Sequence, residues 1–388
     1  MMRIILCYEY LLPTRGGAEK YIYDLINRLI KDNHLVHLIA SQWDRSLPTG
    51  VHCHRVVSRP TPRLLRPWRF AYGCLQLLRY IPHDISIGFD KTWGQDILYP
   101  QGGLHLACAD HNLLKYRSPV LRFFAKLGKR LDPAFWSFRM LEHKQYCSTY
   151  NPMIIVNSHL VRRHFETYYG ISSERVRVVH SAIDSSRFSA EDRFRLRDEV
   201  RRRLGIASDA PVALFVAMNY RLKGLAPLLR ALYYVTVPSL HLLVIGNPRY
   251  QRYRRLAWRL GLDDRVHFLG HQKEPRDYFF AADFLVHPTF YDPCSLVVLE
   301  ALTCGLPVIT TRYNGAAELL HPPAEGLIID DPHNTLALSQ AIQRMCDPVY
   351  RREAAMAARR RGMEWNFDRH YEALMNVFQE VCRHKSAA

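Results

Sequence analysis

The sequence predicts an α/β protein made of two doubly wound, parallel-sheet domains. Short apolar segments alternate with segments of helical periodicity through the first half of the chain, and the alternation restarts after a polar, arginine-rich stretch at 185–203. The chain has 388 residues, of which 48% are hydrophobic, so it is long enough for two domains that each bury a core. The two halves are therefore expected to fold as separate domains of one class.

The first domain is predicted to span residues 1–185. Apolar runs bounded by polar or glycine-containing segments indicate buried strands, and apolar residues at intervals of three and four indicate helices. Strands are expected at 4–7, 35–40, 51–57, 85–87, 97–99 and 153–156, and helices at 18–30 and 68–80.

The second domain is predicted to span residues 186–364, with a separate helix at 365–388. Strands are expected at 212–217, 241–245, 266–269, 284–287, 308–310 and 327–329. In the final segment Tyr371, Leu374 and Phe378 share one helical face, which predicts an amphipathic helix. Because open parallel sheets bind ligands at the carboxyl ends of their strands, the two domains are expected to face each other across a cleft.

Charge and composition limit the partners and the location. A net charge of +17 and a pI of about 9.6 favour nucleic acid, nucleotide phosphates or an anionic membrane as partners. The nine cysteines include no C-x-x-C pair, so neither a zinc site nor a disulfide framework is indicated. With no apolar run of 18 residues and no signal-peptide pattern, we expect a cytoplasmic protein whose membrane contact, if any, is peripheral.

The segment 291–311 carries the most informative pattern. Asp292 and Glu300 lie on either side of a predicted helix start, where Ser295 is the candidate N-cap and Leu296 the first helical residue. Helix N-termini bind phosphate through free N–H groups, and a nearby carboxylate can bind ribose or sugar hydroxyls. Asp292 and Glu300 are therefore catalytic candidates, and Ser295, Leu296 and Glu300 are donor-binding candidates.

Lys223 and Arg221 are the candidate cations for a diphosphate. Lys223-Gly224 lies at a predicted strand-to-helix turn, from which the lysine can reach a phosphate held at a helix N-terminus; a solvated loop lysine is the alternative. The sequence contains no Asp-x-Asp triplet of the kind that chelates a metal-bound diphosphate. We therefore expect neither a metal nor a cofactor, with fixed cations and a helix dipole stabilising the leaving group.

Two glycine pairs follow predicted strands of the first domain. Gly16 and Gly17 let the backbone approach a ligand closely, although a tight turn explains them equally and the pattern is not G-x-G-x-x-G. Gly102-Gly103 precedes His105, a candidate catalytic residue that could contact a substrate hydroxyl. Chance placement is the alternative, because the chain has 19 histidines.

Two basic, aromatic stretches, 55–79 and 113–146, suit an anionic membrane interface. The first contains no acidic residue, and the second interleaves cations with phenylalanine and tryptophan. Candidate membrane contacts are Lys126, Lys129, Arg130 and Trp136. The alternative is a solvated basic face packed on its own domain.

Together these motifs resemble glycosyltransferase family 4, and within it the lipopolysaccharide-core glucosyltransferase I branch. The resemblance rests on Gly16-Gly17, 88–91, Arg187-Phe188, Lys223-Gly224, 283–288, 292–307 and Trp365. It implies the GT-B architecture, in which an acceptor-binding Rossmann-like domain precedes a nucleotide-sugar-binding one and the final helix at 365–388 packs back on the first domain. It also implies metal-independent, retaining transfer of a hexose, with UDP-glucose as donor, to a saccharide or lipid-linked saccharide at the inner membrane face.

The resemblance also implies roles for individual residues. Lys223 and an arginine, either Arg187 or Arg221, would bind the diphosphate over the glycine loop. Glu300 would bind the ribose and Asp292 the sugar. The chain differs from the family pattern where Asp292 replaces a glutamate and Met218 replaces an arginine. His105 is the candidate replacement for an aspartate that the glucosyltransferase branch carries near Gly102.

Two other classes of function stay open. The charge of +17 permits a nucleic-acid-binding protein, although the sequence contains no zinc finger, RRM signature or basic zipper. A catalytically inactive sugar-binding protein of the same fold is compatible with the departures at 218 and 292. Donor hydrolysis by the purified protein separates the inactive protein from an enzyme.

Overall fold

The chain forms two compact units, each built on a parallel sheet. A computed structural model describes residues 1–12, 16–56, 61–188 and 192–387, without the side chains of Arg187 and Ala387. The first unit comprises Met1–Ser181 and Asp368–Ala388, and the second comprises Ala182–Phe367. The predicted α/β class with two doubly wound parallel sheets is confirmed.

The described part of the first unit contains a seven-stranded parallel sheet in the order β5-β3-β1-β6-β7-β8-β9, and β2 pairs with β4 apart from it. A short 3-10 helix lies at Ser173–Arg175. The elements are β1 (Arg3–Cys7), β2 (Tyr10–Leu11), α1 (Gly17–Lys31), β3 (Leu35–Ala40), β4 (Gln42–Trp43), β5 (Val51–Arg55), α2 (Arg66–Leu78), β6 (Ile85–Gly88), β7 (Ile97–Leu98), α3 (His105–Leu114), α4 (Pro119–Leu131), α5 (Pro133–Cys147), β8 (Met153–Val156), α6 (His159–Tyr169) and β9 (Val176–Val178).

The second unit has a parallel sheet in the order β12-β11-β10-β13-β14-β15 across its described residues. Short 3-10 helices lie at Ser185–Phe188 and Gly315–Leu319. The other elements are α7 (Arg193–Arg203), β10 (Val212–Ala217), α8 (Leu225–Leu232), β11 (His241–Gly246), α9 (Gln251–Arg259), β12 (Val266–Gly270), α10 (Arg276–Ala281), β13 (Phe284–His287), α11 (Leu296–Thr303), β14 (Val308–Thr311), β15 (Gly326–Ile329), α12 (Thr335–Cys346) and α13 (Pro348–Glu364).

Strand β10 shows why both faces of the second sheet are covered. Its residues are apolar and all but Val216 are buried, and they alternate between two cores: Ala213 and Phe215 pack in one, Val212 and Leu214 in the other. Near-continuous apolar strands are typical of parallel sheets with helices on both faces. The strand order reverses between β10 and β13, so the carboxyl ends of these two strands form the topological switch point of the sheet.

The arginine-rich stretch at 185–203 is part of the second unit rather than a polar connection between the two halves. It forms a 3-10 helix and α7, which packs against α10. The guanidinium groups of Arg197 and Arg201 bind the Asp283 carboxylate at 2.8 and 2.9 Å. Arg201 is buried and also donates to backbone oxygens, including that of Ala281, so its charge is fully hydrogen-bonded.

Helix α14 (Phe367–Ala387) packs within the first unit. The Tyr21 hydroxyl lies 2.6 Å from the buried ring of His370, and Arg177 forms a 2.5 Å ion pair with Glu380. Leu374 and Phe378 are fully buried, as the amphipathic pattern predicts. In the part of the chain that the structure describes, no helix combines the length and apolarity needed to cross a membrane.

Candidate functional site

The candidate site of the second unit lies at the carboxyl ends of β10 and β13. The loop after β10 carries Lys223, and it is joined to the loop after β13 because the Phe290 N–H donates to the Leu222 carbonyl at 2.9 Å. Gly224 has a φ of +81°, and a Cβ there would lie 2.0 Å from the Pro288 carbonyl oxygen. The glycine after the lysine therefore lets the two loops touch.

Lys223 and Asp292 form an ion pair in this site. The ammonium Nζ lies 2.6 Å from Asp292 Oδ2 and donates to the Tyr291 carbonyl at 3.0 Å. The side chains are only 18% and 14% exposed, so each charge has little water to solvate it. Low exposure strengthens the attraction, and it makes the removal of either partner costly.

His287 completes a cluster of three ionisable groups. Its buried Nε2 lies 3.5 Å from Asp292 Oδ2. Burial raises the pKa of Asp292, but the Lys223 charge and the His287 ring outweigh it and hold that pKa below its ordinary value. Burial lowers the pKa of His287, assisted by the positive charge of Lys223 and opposed by Asp292. At neutral pH Asp292 is therefore a carboxylate and His287 a neutral imidazole.

Asn314, in the loop after β14, holds the start of α11 next to this cluster. Its Oδ1 accepts from the N–H groups of Ser295 and Ala316 at 3.2 and 3.1 Å. Ser295 is the N-cap and makes no side-chain capping bond, so the Asn314 amide and not the serine hydroxyl organises this helix start. The predicted helix start at Ser295–Leu296 is confirmed.

The remaining donor-site candidates lie at three places in the second unit. Glu300 is half-buried in the second turn of α11. Burial raises the pKa of the Cys304 thiol, and the Glu300 charge raises it further. Arg221 is exposed in the loop that carries Lys223. The side chain of Arg187 lies outside the described residues. Their roles toward a donor stay predictions.

Gly16 and Gly17 begin α1 in the first unit. Gly16 is the N-cap and has extended backbone angles, φ −176° and ψ 179°, that any residue adopts. A Cβ at Gly16 would approach only the end of the flexible Glu19 side chain, at 2.9 Å. Neither observation requires glycine here, so the predicted close approach of a ligand stays a prediction.

His105 begins α3, and its predicted contact with a substrate hydroxyl stays a prediction. Its ring packs against Phe135 and Phe138, with centroids 5.6 and 5.3 Å away, and its Nε2 is buried. Burial lowers the pKa of His105 to about 4, with a further contribution from the Lys91 charge. The residue that follows the glycine pair is thus the first residue of a helix, and its ring packs against aromatic side chains of α5.

The predicted membrane contacts fall on α4 and the start of α5. Helix α4 buries none of its residues, and Phe123 and Phe124 are 63% and 61% exposed. Lys126 and Arg130 are also exposed on this helix. Lys129 differs from them, because its ammonium donates to the Ala109 carbonyl and burial lowers its pKa. The Trp136 indole donates to the Arg130 carbonyl at 2.6 Å and is 42% exposed.

Sequence reasoning missed His287 and Asn314 as members of the site. His287 is the last residue of β13, five positions before Asp292, and a polar side chain at the carboxyl end of a strand next to the switch point is a usable signal. Asn314 lies in a short turn after β14 and carries no comparable sequence signal. Among the residues described, no three His, Cys, Asp or Glu side chains are grouped so as to hold a metal ion.

Comparison with family models and known proteins follows the division of the chain. The model described as Glycosyltransferase Family 4 matches residues 15–187, and the model described as Glycosyl transferases group 1 matches residues 197–361. The lipopolysaccharide glucosyltransferase WaaG of Escherichia coli (strain K12) is 23% identical over 346 residues, which cover 88% of this chain and 89% of that protein.

Solved structures show the same fold. The crystal structure of WaaG, a glycosyltransferase involved in lipopolysaccharide biosynthesis, aligns with a TM-score of 0.80 at 20% identity and covers 97% of this chain and 99% of WaaG. Anabaena Alr3699/HepE, in complex with UDP and glucose, aligns with a TM-score of 0.70 at 18% identity, covering 98% of this chain and 100% of HepE.

Proposed function

Because the chain is a GT-B glycosyltransferase that resembles family 4 and WaaG, we propose that it transfers glucose from UDP-glucose to a lipid-linked saccharide with retention of anomeric configuration. The acceptor class is the lipopolysaccharide core or a similar cell-envelope glycan. WaaG is named as a lipopolysaccharide glucosyltransferase, which supports the acceptor class, and the HepE structure is a complex with UDP and glucose, which supports the donor. The family resemblance supports both.

The Lys223–Asp292 ion pair is the observation that carries the proposed chemistry. It lies at the switch point of the second sheet, which is where open α/β sheets bind ligands. In the proposal the donor diphosphate takes Lys223 from Asp292, and the freed carboxylate accepts a hydroxyl of the donor sugar. Lys223 then stabilises the negative charge that collects on the departing UDP. No metal or cofactor enters this scheme.

The α4 surface supports a membrane-bound acceptor. Cations near an anionic surface each contribute about 1 kcal/mol of attraction, and exposed aromatic side chains add apolar insertion. Lys126, Arg130, Phe123 and Phe124 supply both on one helix. We place the enzyme on the cytoplasmic face of the inner membrane, where the bilayer presents the lipid-linked acceptor to it.

The test is a donor screen followed by a transfer assay. A ligand at 100 times its Kd adds about 2.7 kcal/mol of stability, so UDP-glucose should raise the Tm more than GDP-mannose does. Purified enzyme with UDP-glucose and EDTA should then glucosylate rough lipopolysaccharide, and NMR of the first product should show the α-anomer. Loss of transfer in EDTA refutes the metal-free scheme, and a β-product refutes retention.

Two results favour the other functions that the sequence left open. UDP-glucose binding with neither hydrolysis nor transfer indicates an inactive sugar-binding protein. No nucleotide-sugar binding together with a salt-sensitive gel shift indicates a nucleic-acid-binding protein.

A further inference from the structure

His287 is a buried titratable group that the proposed transfer chemistry does not use. Its side chain is 1% exposed at the end of β13, and its ring stacks on Phe215 with the centroids 6.1 Å apart. Its backbone carbonyl accepts from Thr310 Oγ1 at 3.0 Å, which fixes the main chain. Among the described residues, neither ring nitrogen has a hydrogen-bond partner. A buried imidazole in this state is uncommon in folded proteins and requires an explanation.

The ring and the Lys223 ammonium face the same oxygen of Asp292. Lys223 Nζ lies 2.6 Å from Oδ2, whereas His287 Nε2 lies 3.5 Å from it, beyond the usual N–H···O distance. Burial lowers the pKa of His287, the Asp292 carboxylate raises it, and the Lys223 ammonium lowers it further. Across the described residues, Asp292 and Lys223 are the charged groups that act on the ring. The lysine and the imidazole are therefore alternative partners for one carboxylate oxygen.

The exchange of partners proposed for donor binding removes Lys223 from Asp292. The Asp292 side chain is 14% exposed, so little water is present to solvate a carboxylate that has lost its cation. A sugar hydroxyl donates a hydrogen bond to the carboxylate but brings no positive charge. Departure of the lysine also takes a cation away from the His287 ring, and a neighbouring carboxylate favours the protonated form of an imidazole. Protonated His287 would therefore supply the missing charge.

We propose that His287 is a positioning residue that replaces Lys223 as the partner of Asp292 when the donor binds. One proton from solvent binds the imidazole, and the imidazolium donates its Nε2–H to Asp292 Oδ2. The proton returns to solvent when UDP leaves and Lys223 pairs with Asp292 again. The inference rests on the proposed function, and it adds that donor binding is coupled to proton uptake.

Calorimetry of UDP-glucose binding in two buffers of different ionisation enthalpy counts the protons taken up for each donor bound. UDP-glucose is the probe because its diphosphate is esterified at both ends and does not titrate near neutral pH. The variants are His287→Gln, which cannot take up the proton, and Asp292→Asn, which removes the carboxylate that favours it. His321→Gln is the matched control, because His321 is 68% exposed and precedes β15, away from the carboxyl ends of the strands.

The expected result is proton uptake that depends on both His287 and Asp292. A histidine with the ordinary pKa of about 6.5 is half protonated at pH 6.5, so the wild type and the control should take up about 0.5 proton or more per UDP-glucose. Both other variants should bind UDP-glucose without this uptake. By linkage, the wild-type affinity should weaken about threefold between pH 6 and pH 7, whereas the affinities of these two variants should stay level. A ring with only a packing role would produce neither effect.

Proton uptake that is absent from the wild type, or that persists at full size in either variant, overturns the proposal. If His287→Gln does not fold, Asp292→Asn still decides the question, because the amide has nearly the shape of the carboxylate and leaves the ring in place. Wild-type binding of UDP-glucose without proton uptake refutes this inference alone. Absence of UDP-glucose binding refutes the proposed function and this inference with it.

Discussion

The two sheets are both parallel and doubly wound, yet their carboxyl edges carry different chemistry. In the second unit the cation of Lys223 is held by Asp292 next to a neutral His287, and the cluster is mostly buried. In the first unit Arg55, the last residue of β5, is exposed, and its guanidinium lies over the Trp43 ring, 5.2 Å from the centroid. The same topology therefore presents a mostly buried ion pair on one unit and an exposed cation over an aromatic ring on the other.

The difference indicates different kinds of ligand. A pre-formed ion pair can exchange partners with a small, multiply charged ligand, since the lysine pairs with the ligand's charge and the carboxylate accepts a hydroxyl of the ligand. Exposed cations between aromatic rings suit a larger amphipathic anion that covers them on binding. Four changes test whether the two units differ in this way.

Lys223→Ala should have the largest effect, a fall of about 100-fold in the rate of sugar transfer, or about 2.7 kcal/mol. The variant removes the cation from the leaving diphosphate and leaves Asp292 without its main partner. Transfer is measured with UDP-glucose at saturation, with the exposed Lys273→Ala as control. A variant with the wild-type rate would show that the ion pair has no part in transfer.

Charge reversal on α4 should act on the membrane and not on the donor. Lys126→Glu with Arg130→Glu should weaken co-sedimentation with phosphatidylglycerol vesicles by about 30-fold or more, since each cation contributes about 1 kcal/mol. Arg254→Glu with Arg255→Glu on α9 is the matched control, because both side chains are exposed in the second unit. Equal sedimentation of both double variants would show that the α4 cations are only solvated.

Asp292→Asn should strengthen UDP binding by about threefold while it slows sugar transfer. The substitution removes the carboxylate that competes with the diphosphate for Lys223, and each 1.36 kcal/mol of relieved competition is worth tenfold in affinity. Calorimetry with UDP measures the effect, and the exposed Asp264→Asn serves as control. Weaker UDP binding by Asp292→Asn would contradict the exchange of partners.

Mild acid should destabilise the first unit, with the smallest effect of the four. Burial lowers the pKa of His105, His164 and His370 to about 4, whereas an unfolded histidine titrates near 6.5. The unfolded chain therefore binds protons first, and stability is lost as the pH falls from about 6.5 toward 4. A scan should show the Tm falling by about 3 °C or more between pH 7.5 and 5. An unchanged Tm would show that these rings are not held neutral.

Much of the fold could be predicted because apolar runs and buried strands coincide. Strand β10 was predicted at its observed bounds, since every one of its residues is apolar. Helix α4 could not be delimited in the same way, because it leaves its apolar side chains exposed and so breaks the rule that periodic apolar residues face a core. Helix α7 could not be predicted because it is rich in arginine, and Arg201 is buried through its ion pair with Asp283 and its hydrogen bonds to backbone oxygens.

The site could be predicted as a set of residues but not as an arrangement. Lys223 and Asp292 were each assigned to a ligand, and nothing local indicated that they bind each other across 69 positions. That contact depends on β10 and β13 being neighbours at the switch point. For His105 the sequence indicated a position after a strand and two glycines. It did not indicate that the ring packs against Phe135 and Phe138.

Helix α14 has a consequence for how the protein is made. The first unit is complete only when α14 supplies His370 and Glu380 to Tyr21 and Arg177. A ribosome adds about 5–20 residues per second, so the whole of Ala182–Phe367 takes roughly 10–40 s to emerge between the two parts of that unit. During synthesis the second unit can therefore finish folding before the first, and the early strands β1 to β9 wait for their covering helix.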